Sequence, residues 1–305
     1  MSDLDLALIP PLGEARAHPV PAAHETTLPN GLHLVVVPRP GVPLVELRLR
    51  IPFSAPNAHL AAVHTARAGV LSGAVLLGTE TRDQTGIAEA LQAHGAEMSV
   101  TTDPDRLLFG TTLLAEGLSP VLALLSELLT SATYPAERVE GERDRVAERI
   151  GIARSQPGVI ARTALAARRY GSHPYAVQLP DPELVLDVRA PALRRMHREH
   201  VLPAGSSLVL VGDLEPERAT DAVAEALASW VGSGTAHETP PAPEAEWPAI
   251  ELIDRAGAVQ SNVRLGGPAP RRTDPDLAAV RLANMIFGGY FSSRLVENIR
   301  ELRGL

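Results

Sequence analysis

Val45-Glu46-Leu47-Arg48-Leu49-Arg50-Ile51 (45–51) sets four aliphatic residues against three charged ones in strict alternation. Successive side chains of a strand point to opposite faces, so this stretch is a strand with one face in a core and the other in water. Working outward, GLHLVVVP (31–38) is a short apolar run rich in β-branched residues and reads as a second strand. EMSVTT (97–102), RLLFGTTLL (106–114) and SLVLVGD (207–213) complete a set of four or five strands. Between them the apolar spacing becomes helical, over 58–76, 84–94 (with Gly95 as the stop), 117–131, 135–154, 158–169, 190–200 and 215–231. Strands come in hairpin-like pairs and helices in runs. The predicted class is therefore α+β, a mixed and largely antiparallel sheet packed with helices, rather than a strict βαβ repeat.

Bulk composition bounds the function. The chain has 305 residues, room for about two domains. Its net charge is -8, all of its basic residues are Arg, and aromatics make up 3%. Nucleic-acid binders carry a basic surplus and stacking platforms, so no nucleic-acid partner is expected. The absence of Cys excludes disulfides, thiolate metal sites and a Cys nucleophile. No apolar stretch approaches the roughly 20 residues that span a bilayer, and the N-terminus lacks a basic-then-apolar signal pattern. The expectation is a cytoplasmic protein with no membrane partner.

The chain divides by composition. Residues 1–25 are Pro-rich and aperiodic, an N-terminal strap or tail. Residues 26–231 hold the first α+β domain. Residues 232–248, GSGTAHETPPAPEAEWP, are a Pro-rich linker. Residues 249–305 begin a second domain with IELIDR (250–255), VQSNVRLG (259–266) and helices at 274–286 and 292–303. That stretch is too short for the fold of the first domain, so the second is expected to be truncated or completed by another chain.

Several chemistry-bearing patterns have plain structural explanations. His197-Arg198-Glu199-His200 places two His at i and i+3, but helical zinc-protease motifs separate their His differently; a helix C-terminus, where His is favourable, accounts for it. His59 and His64 are about 140° apart around a helix and do not converge on one metal. Gly266-Gly267 and Gly288-Gly289 are not a dinucleotide fingerprint, and Gly288-Gly289 suits a helix C-cap and turn. Ser72 lacks the strand-turn-helix setting of a nucleophile elbow, which leaves an independent serine hydrolase poorly supported. The helix over 135–154 mixes Glu137, Glu140, Glu142, Asp144 and Glu148 with five Arg, a solvated face laced with i,i+3 and i,i+4 pairs.

Five blocks, in order, resemble the pitrilysin/insulinase-type metallopeptidases, the inverted zincins. They are LPNGLHLVVVP (28–38), GTETRDQTGIAEALQAHGAEMSVTTDPD (78–105), ERDRVAERI (142–150), MHREHVLPAGSSLVLVGDL (196–214) and 259–305. The resemblance covers nearly the whole chain and implies the family's two-domain repeat, here with the second domain incomplete. In that family a His-x-x-Glu-His helix supplies two zinc ligands and a general base, and a Glu on a later helix completes the metal shell. Counting back from Gly78-Thr79 places the two His positions on Gly69 and Gly73 and the base position on Ser72. The later ligand falls on Arg149, with Glu142 in a supporting position. The resemblance thus implies a degenerate zinc site and no catalysis by this chain alone.

Inactive members of the family pair with an active one. The resemblance therefore implies a heterodimer in which this chain binds no cofactor, the catalytic partner carries zinc, and a peptide or unstructured precursor is the substrate. Arg300, in IRELRGL (299–305), matches an Arg that reaches the partner's active site, and the matching Tyr would lie two residues past Leu305. FGGYFSSR (287–294) matches a substrate-contacting loop, which nominates Gly288, Gly289, Tyr290, Phe291 and Ser292 for substrate binding. The alternative is a structural or assembly protein of the same fold with no proteolytic role.

Overall fold

The structure, a computed structural model, describes residues 13, 20–232, 239–244 and 250–304. It divides into two units, Met1–Ser261 and Asn262–Leu305.

The first unit is built on six strands: β1 (His24–Thr27), β2 (His33–Pro38), β3 (Leu44–Pro52), β4 (Ser99–Thr102), β5 (Arg106–Leu114) and β6 (Ser207–Gly212). Their order is β1-β2-β6-β3-β5-β4. Only β2 and β6 run parallel, His33 opposite Ser207 and Pro38 opposite Gly212. All other pairs are antiparallel, as the hairpin spacing predicts. The alternation in β3 falls as expected: Val45, Leu47, Leu49 and Ile51 are wholly buried. Leu32, Leu34 and Val36, Leu107 and Phe109, and Leu208 and Leu210 join them on the same core. Glu46 and Arg48 pair with each other on the opposite, wetter face. A sheet with one packed and one solvated face is the antiparallel solution.

Helices cover the packed face: α1 (Ala61–Ala74), α2 (Gln84–Gln92), α3 (Leu118–Ser131), α4 (Ala136–Arg154), α5 (Pro157–Tyr170), α6 (Pro182–Leu186), α7 (Ala190–His200) and α8 (Pro216–Ala226). Asp83 caps α2 by accepting from the Gly86 amide at 2.9 Å. Gly95, at φ +63°, stops the chain after it as the sequence predicts. Helix α8 ends at Ala226, short of the expected 231. The Asn30 amide donates to the Leu227 and Trp230 carbonyls at 3.0 and 3.1 Å, which turns the chain back. Trp230 is buried there, its indole N–H donating to Val201 O at 3.0 Å. β1 extends the sheet into residues His24 and Glu25, which composition assigned to a strap; residues 1–12 and 14–19 of that strap lie outside the described residues.

Two buried polar networks tie helices together. The Tyr134 hydroxyl donates to His197 Nδ1 at 2.7 Å, and His197 Nε2–H donates to Leu129 O at 2.9 Å, which fixes the neutral tautomer. Burial holds the His197 pKa below its ordinary 6.5, with the Arg198 charge adding in the same direction. At Glu127, burial alone would raise the pKa. It is outweighed by hydroxyl donors from Thr79 and Thr81 and by the Arg82 guanidinium, so the carboxyl stays below its ordinary 4.5. Both depressed values have the same consequence: the unfolded chain takes up each proton at a higher pH than the folded one. The His197 contribution is complete above pH 6.5 and declines as pH falls from there; the Glu127 contribution does the same from 4.5. Thermal melts should therefore show a flat Tm between about pH 7 and 9 and a fall beginning near 6.5, with a shallower early fall in His197→Gln. Equal slopes for the two proteins between pH 7 and 5 would contradict the assignment.

In the second unit, α9 (Leu277–Asn284) runs into a π-turn, Met285–Gly289. A single helical turn at Arg294–Val296 then leads to a further π-turn, Glu297–Glu301. The continuous helix expected over 292–303 is thus broken into short turns, with i→i+5 bonding such as Leu302 N to Glu297 O at 3.0 Å. Among the described residues no member of the buried core cluster lies beyond Trp230, and Leu282, Met285, Ile286, Phe287, Tyr290 and Phe291 are all exposed. Among the described residues no helix is long and apolar enough to cross a membrane.

Candidate functional site

Helix α1 packs on α4 and lies beside β4, the last strand of the sheet. A Cβ built at Gly69 meets a Val146 methyl at 3.9 Å. One turn on, a Cβ at Gly73 would overlap the Glu142 carboxyl group, with its Cγ at 3.1 Å. Glu142 is 7% exposed and occupies the space a side chain at 73 would need. Its charge is met by Arg145, one turn later on α4. The structure thus brings Gly69 and Gly73 together with Glu142, the one carboxylate of α4 that faces inward; the solvated-face reading holds for Glu137, Glu140, Asp144 and Glu148. Arg149 is exposed and lines an open depression of about 410 Å³ with Arg145, Glu148, Ile152, Ala153 and Gln156.

The donor set of this cluster does not fit a zinc ion. Neither glycine has a side-chain donor, Arg149 is a fixed cation, and Ser72 Oγ donates to Gly69 O at 3.0 Å within its own helix. Zinc needs three or four N, O or S donors in a tetrahedral arrangement. Among the described residues no group of three or more His, Asp or Glu side chains is placed to hold a metal.

His64, His197 and His200 serve packing. His197 and His200 turn to different neighbours, His197 to Tyr134 and Leu129, and His200 edge-on to His64 at 5.4 Å and to Phe53 at 5.7 Å. His64 is buried and pairs with Phe53 O at 2.7 Å, whereas His59 is exposed. A cleft of about 160 Å³ between α1 and α7 is lined by His64, Arg67, Arg195, Glu199 and His200.

In the second unit, the nominated loop residues and Arg300 come together. The π-turn delivers Gly288 and Gly289, where a Cβ would crowd Leu295 Cδ2 at 3.2 Å and Asn284 O at 3.3 Å respectively. Tyr290 then adopts an extended backbone, and Ser293, buried, caps the next turn through Val296 N at 3.4 Å. Ser292 lies between these anchors, with Tyr290 and Phe291 projecting into solvent at 63% and 67% exposure. The Arg300 guanidinium lies over the Phe291 ring, 5.0 Å from its centroid, with Glu301 3.7 Å away. A cation stacked on an aromatic face is held in place while its N–H groups stay available. Sequence reasoning nominated these residues separately; it did not anticipate the stacking, because nothing in the spacing of 291 and 300 specifies a π-turn.

Comparison with known proteins agrees with this architecture. The family model described as Insulinase (Peptidase family M16) matches residues 69–183, and the one described as Peptidase M16 inactive domain matches residues 187–305. The chain is 26% identical over 304 residues to an uncharacterised zinc protease of Streptomyces coelicolor, covering 94% of this chain and 64% of that protein. It is likewise 26% identical over 291 residues to an uncharacterised zinc protease of Mycobacterium tuberculosis, covering 93% of this chain and 65% of the other. The chain therefore spans about two thirds or less of the length of these relatives. Among solved structures, the peptidase M16 inactive domain of Pseudomonas fluorescens superposes with a TM-score of 0.76 at 22% identity, covering 93% of this chain and 69% of that one. A protease from Helicobacter pylori gives 0.74 at 18%, covering 93% and 70%. The chain belongs to peptidase family M16, the pitrilysin/insulinase-type metallopeptidases.

Proposed function

We propose that this chain is a non-catalytic, substrate-handling subunit of a heterodimeric zinc metallopeptidase, paired with a family member that carries an intact His-x-x-Glu-His helix and the zinc. The observation that carries this reading is the α1–α4 contact. Gly69 and Gly73 occupy the positions the family resemblance aligns with zinc-binding His, and the buried Glu142 carboxyl fills the space beside Gly73. What remains usable is elsewhere. β4 is an exposed sheet edge, able to pair with an extended peptide by β-augmentation. Arg300, stacked on Phe291, presents a planar cation suited to stabilising a developing oxyanion in the partner's site. The exposed apolar side chains around the loop offer area for a partner or substrate to cover. The substrate class that suits an open sheet edge is a peptide or an unstructured precursor, and a soluble cytoplasmic pair is the setting we infer.

The test is reconstitution. This chain, a zinc-carrying M16 member encoded beside it, and their mixture are assayed on an unfolded peptide. The mixture should cleave at least about tenfold faster than the sum of the separate chains, and the two should co-elute. A catalytic partner that reaches its full rate without this chain would sink the proposal.

A further inference from the structure

Thr239-Pro240-Pro241-Ala242-Pro243-Glu244 has the composition of a loose linker, yet it is held to the first unit at three points. The Thr239 hydroxyl lies 2.7 Å from Ser54 Oγ and donates to Asp105. Its single proton is committed to that carboxylate, so Ser54 is the donor in the first contact. His173 Nε2–H donates to the Pro240 carbonyl at 2.8 Å, and Arg169 Nη1 donates to the Pro243 carbonyl at 2.7 Å. Three prolines in four residues preset an extended polyproline II ribbon, which repeats every three residues. Carbonyls 240 and 243 therefore lie on the same side of it, the side from which both donors come.

The donors are fixed by contacts that do not involve the ribbon. His173 Nδ1 accepts from the Tyr175 amide at 3.2 Å, which leaves the ring proton on Nε2. His173 is 7% exposed and packs edge-on against Tyr175 at 4.5 Å. Tyr170 lies across Tyr175 at 5.4 Å, and the Arg169 guanidinium sits 4.8 Å over the Tyr170 ring. The Tyr175 hydroxyl bonds both Asp105 oxygens at 3.0 Å. Preorganised donors beside an aromatic cluster, matched to carbonyls three residues apart, are the ingredients of polyproline recognition.

We infer that Arg169, His173, Tyr175 and Asp105 form a receptor for a polyproline II segment, and that its occupant is the chain's own Thr239–Glu244. The site is a latch. It joins the end of α5 to the tip of the β4–β5 hairpin, where Asp105 receives both Tyr175 and Thr239, so docking of the ribbon steadies the hairpin that carries the sheet edge. The inference stands whether or not the chain serves a peptidase.

The natural absence of Cys makes the test clean. In the full chain, Ser54→Cys with Thr239→Cys should oxidise to a disulfide at least about tenfold faster than Thr239→Cys with Ser119→Cys, an exposed position on α3. A docked pair exceeds the effective concentration of a free tether. Adding Pro240→Gly and Pro243→Gly should return the rate to that of the control. Equal rates for the two pairs, or no effect of the glycines, would overturn the latch. Because Ser54 is buried and its substitution can cost folding, hydrogen exchange of the otherwise natural chain gives an independent reading. Amides of residues 101–103, 105 and 106 should exchange at least about fivefold faster in the Pro240→Gly, Pro243→Gly chain, and unchanged exchange would equally overturn it.

Discussion

Arg300→Ala is expected to lower the peptide-cleavage rate of the proposed heterodimer by about 10²-fold while leaving its assembly intact. The argument starts from the stacking of the guanidinium on Phe291 at 5.0 Å. A side chain held this way has lost rotamer freedom before substrate arrives, so its N–H groups act without further ordering. Loss of one preorganised donor at a developing oxyanion costs 10²–10³ in rate. Arg300→Lys should recover only part, because an ammonium is a compact point charge without the planar fork. Phe291→Ala should give a smaller loss, on the order of tenfold, by freeing the guanidinium. The measurement is kcat and KM of the pair with each variant, with co-elution as the control for assembly. A rate within twofold of the unaltered pair would favour the structural or assembly reading of this chain.

Gly212→Ala is expected to remove about 4 kcal/mol of stability, the sum of left-handed backbone strain and overpacking. Gly212 closes β6 at φ +155°, a region that L side chains rarely adopt. A Cβ there would overlap the Leu44 carbonyl and sit 2.7 Å from Val45 Cα. These are backbone atoms of the neighbouring strand, so no rotamer change relieves the clash. Gly212 is paired on both sides, with Val45 of β3 and Pro38 of β2, and moving it opens the centre of the sheet. Set against a typical 5–15 kcal/mol for a whole domain, such a loss should shift the urea midpoint markedly or prevent folding. A loss below about 1 kcal/mol would show that β6 can shift without unpairing.

Alternation carries most of the fold. Val45 to Ile51 place four side chains in the core by spacing alone, and the helices from 84 to 200, apart from the short α6, which the spacing did not register, fall within a residue or two of their expected ends. Each miss has a specific cause. HETT (24–27) forms β1 without a buried residue, so hydrophobic pattern has nothing to register. Helix α8 is stopped by the Asn30 amide, a partner nearly two hundred positions away in the chain. The turns after Asn284 adopt i→i+5 bonding, which residue propensities do not encode.

The candidate site was legible only through family resemblance, because Gly69-Val70-Leu71-Ser72-Gly73 is by composition an ordinary small-residue stretch. Structure adds what fills the space: Glu142 is drawn inward to Gly73, whereas Arg149, aligned with the later ligand, stays in solvent. The stacking of Arg300 on Phe291 depends on the irregular turns between them, and the docking of the Pro240–Pro243 ribbon on contacts distant in the chain, and neither left a mark in the spacing.

The α1–α4 contact of this chain is expected to hold no catalytic metal. The direct measurement is zinc content by elemental analysis of the purified chain after incubation with excess zinc and desalting, paired with cleavage of an unfolded peptide before and after chelation. Well under one zinc per chain and no chelator-sensitive cleavage are expected. One tightly held zinc per chain, with cleavage that chelation abolishes and zinc restores, would contradict it.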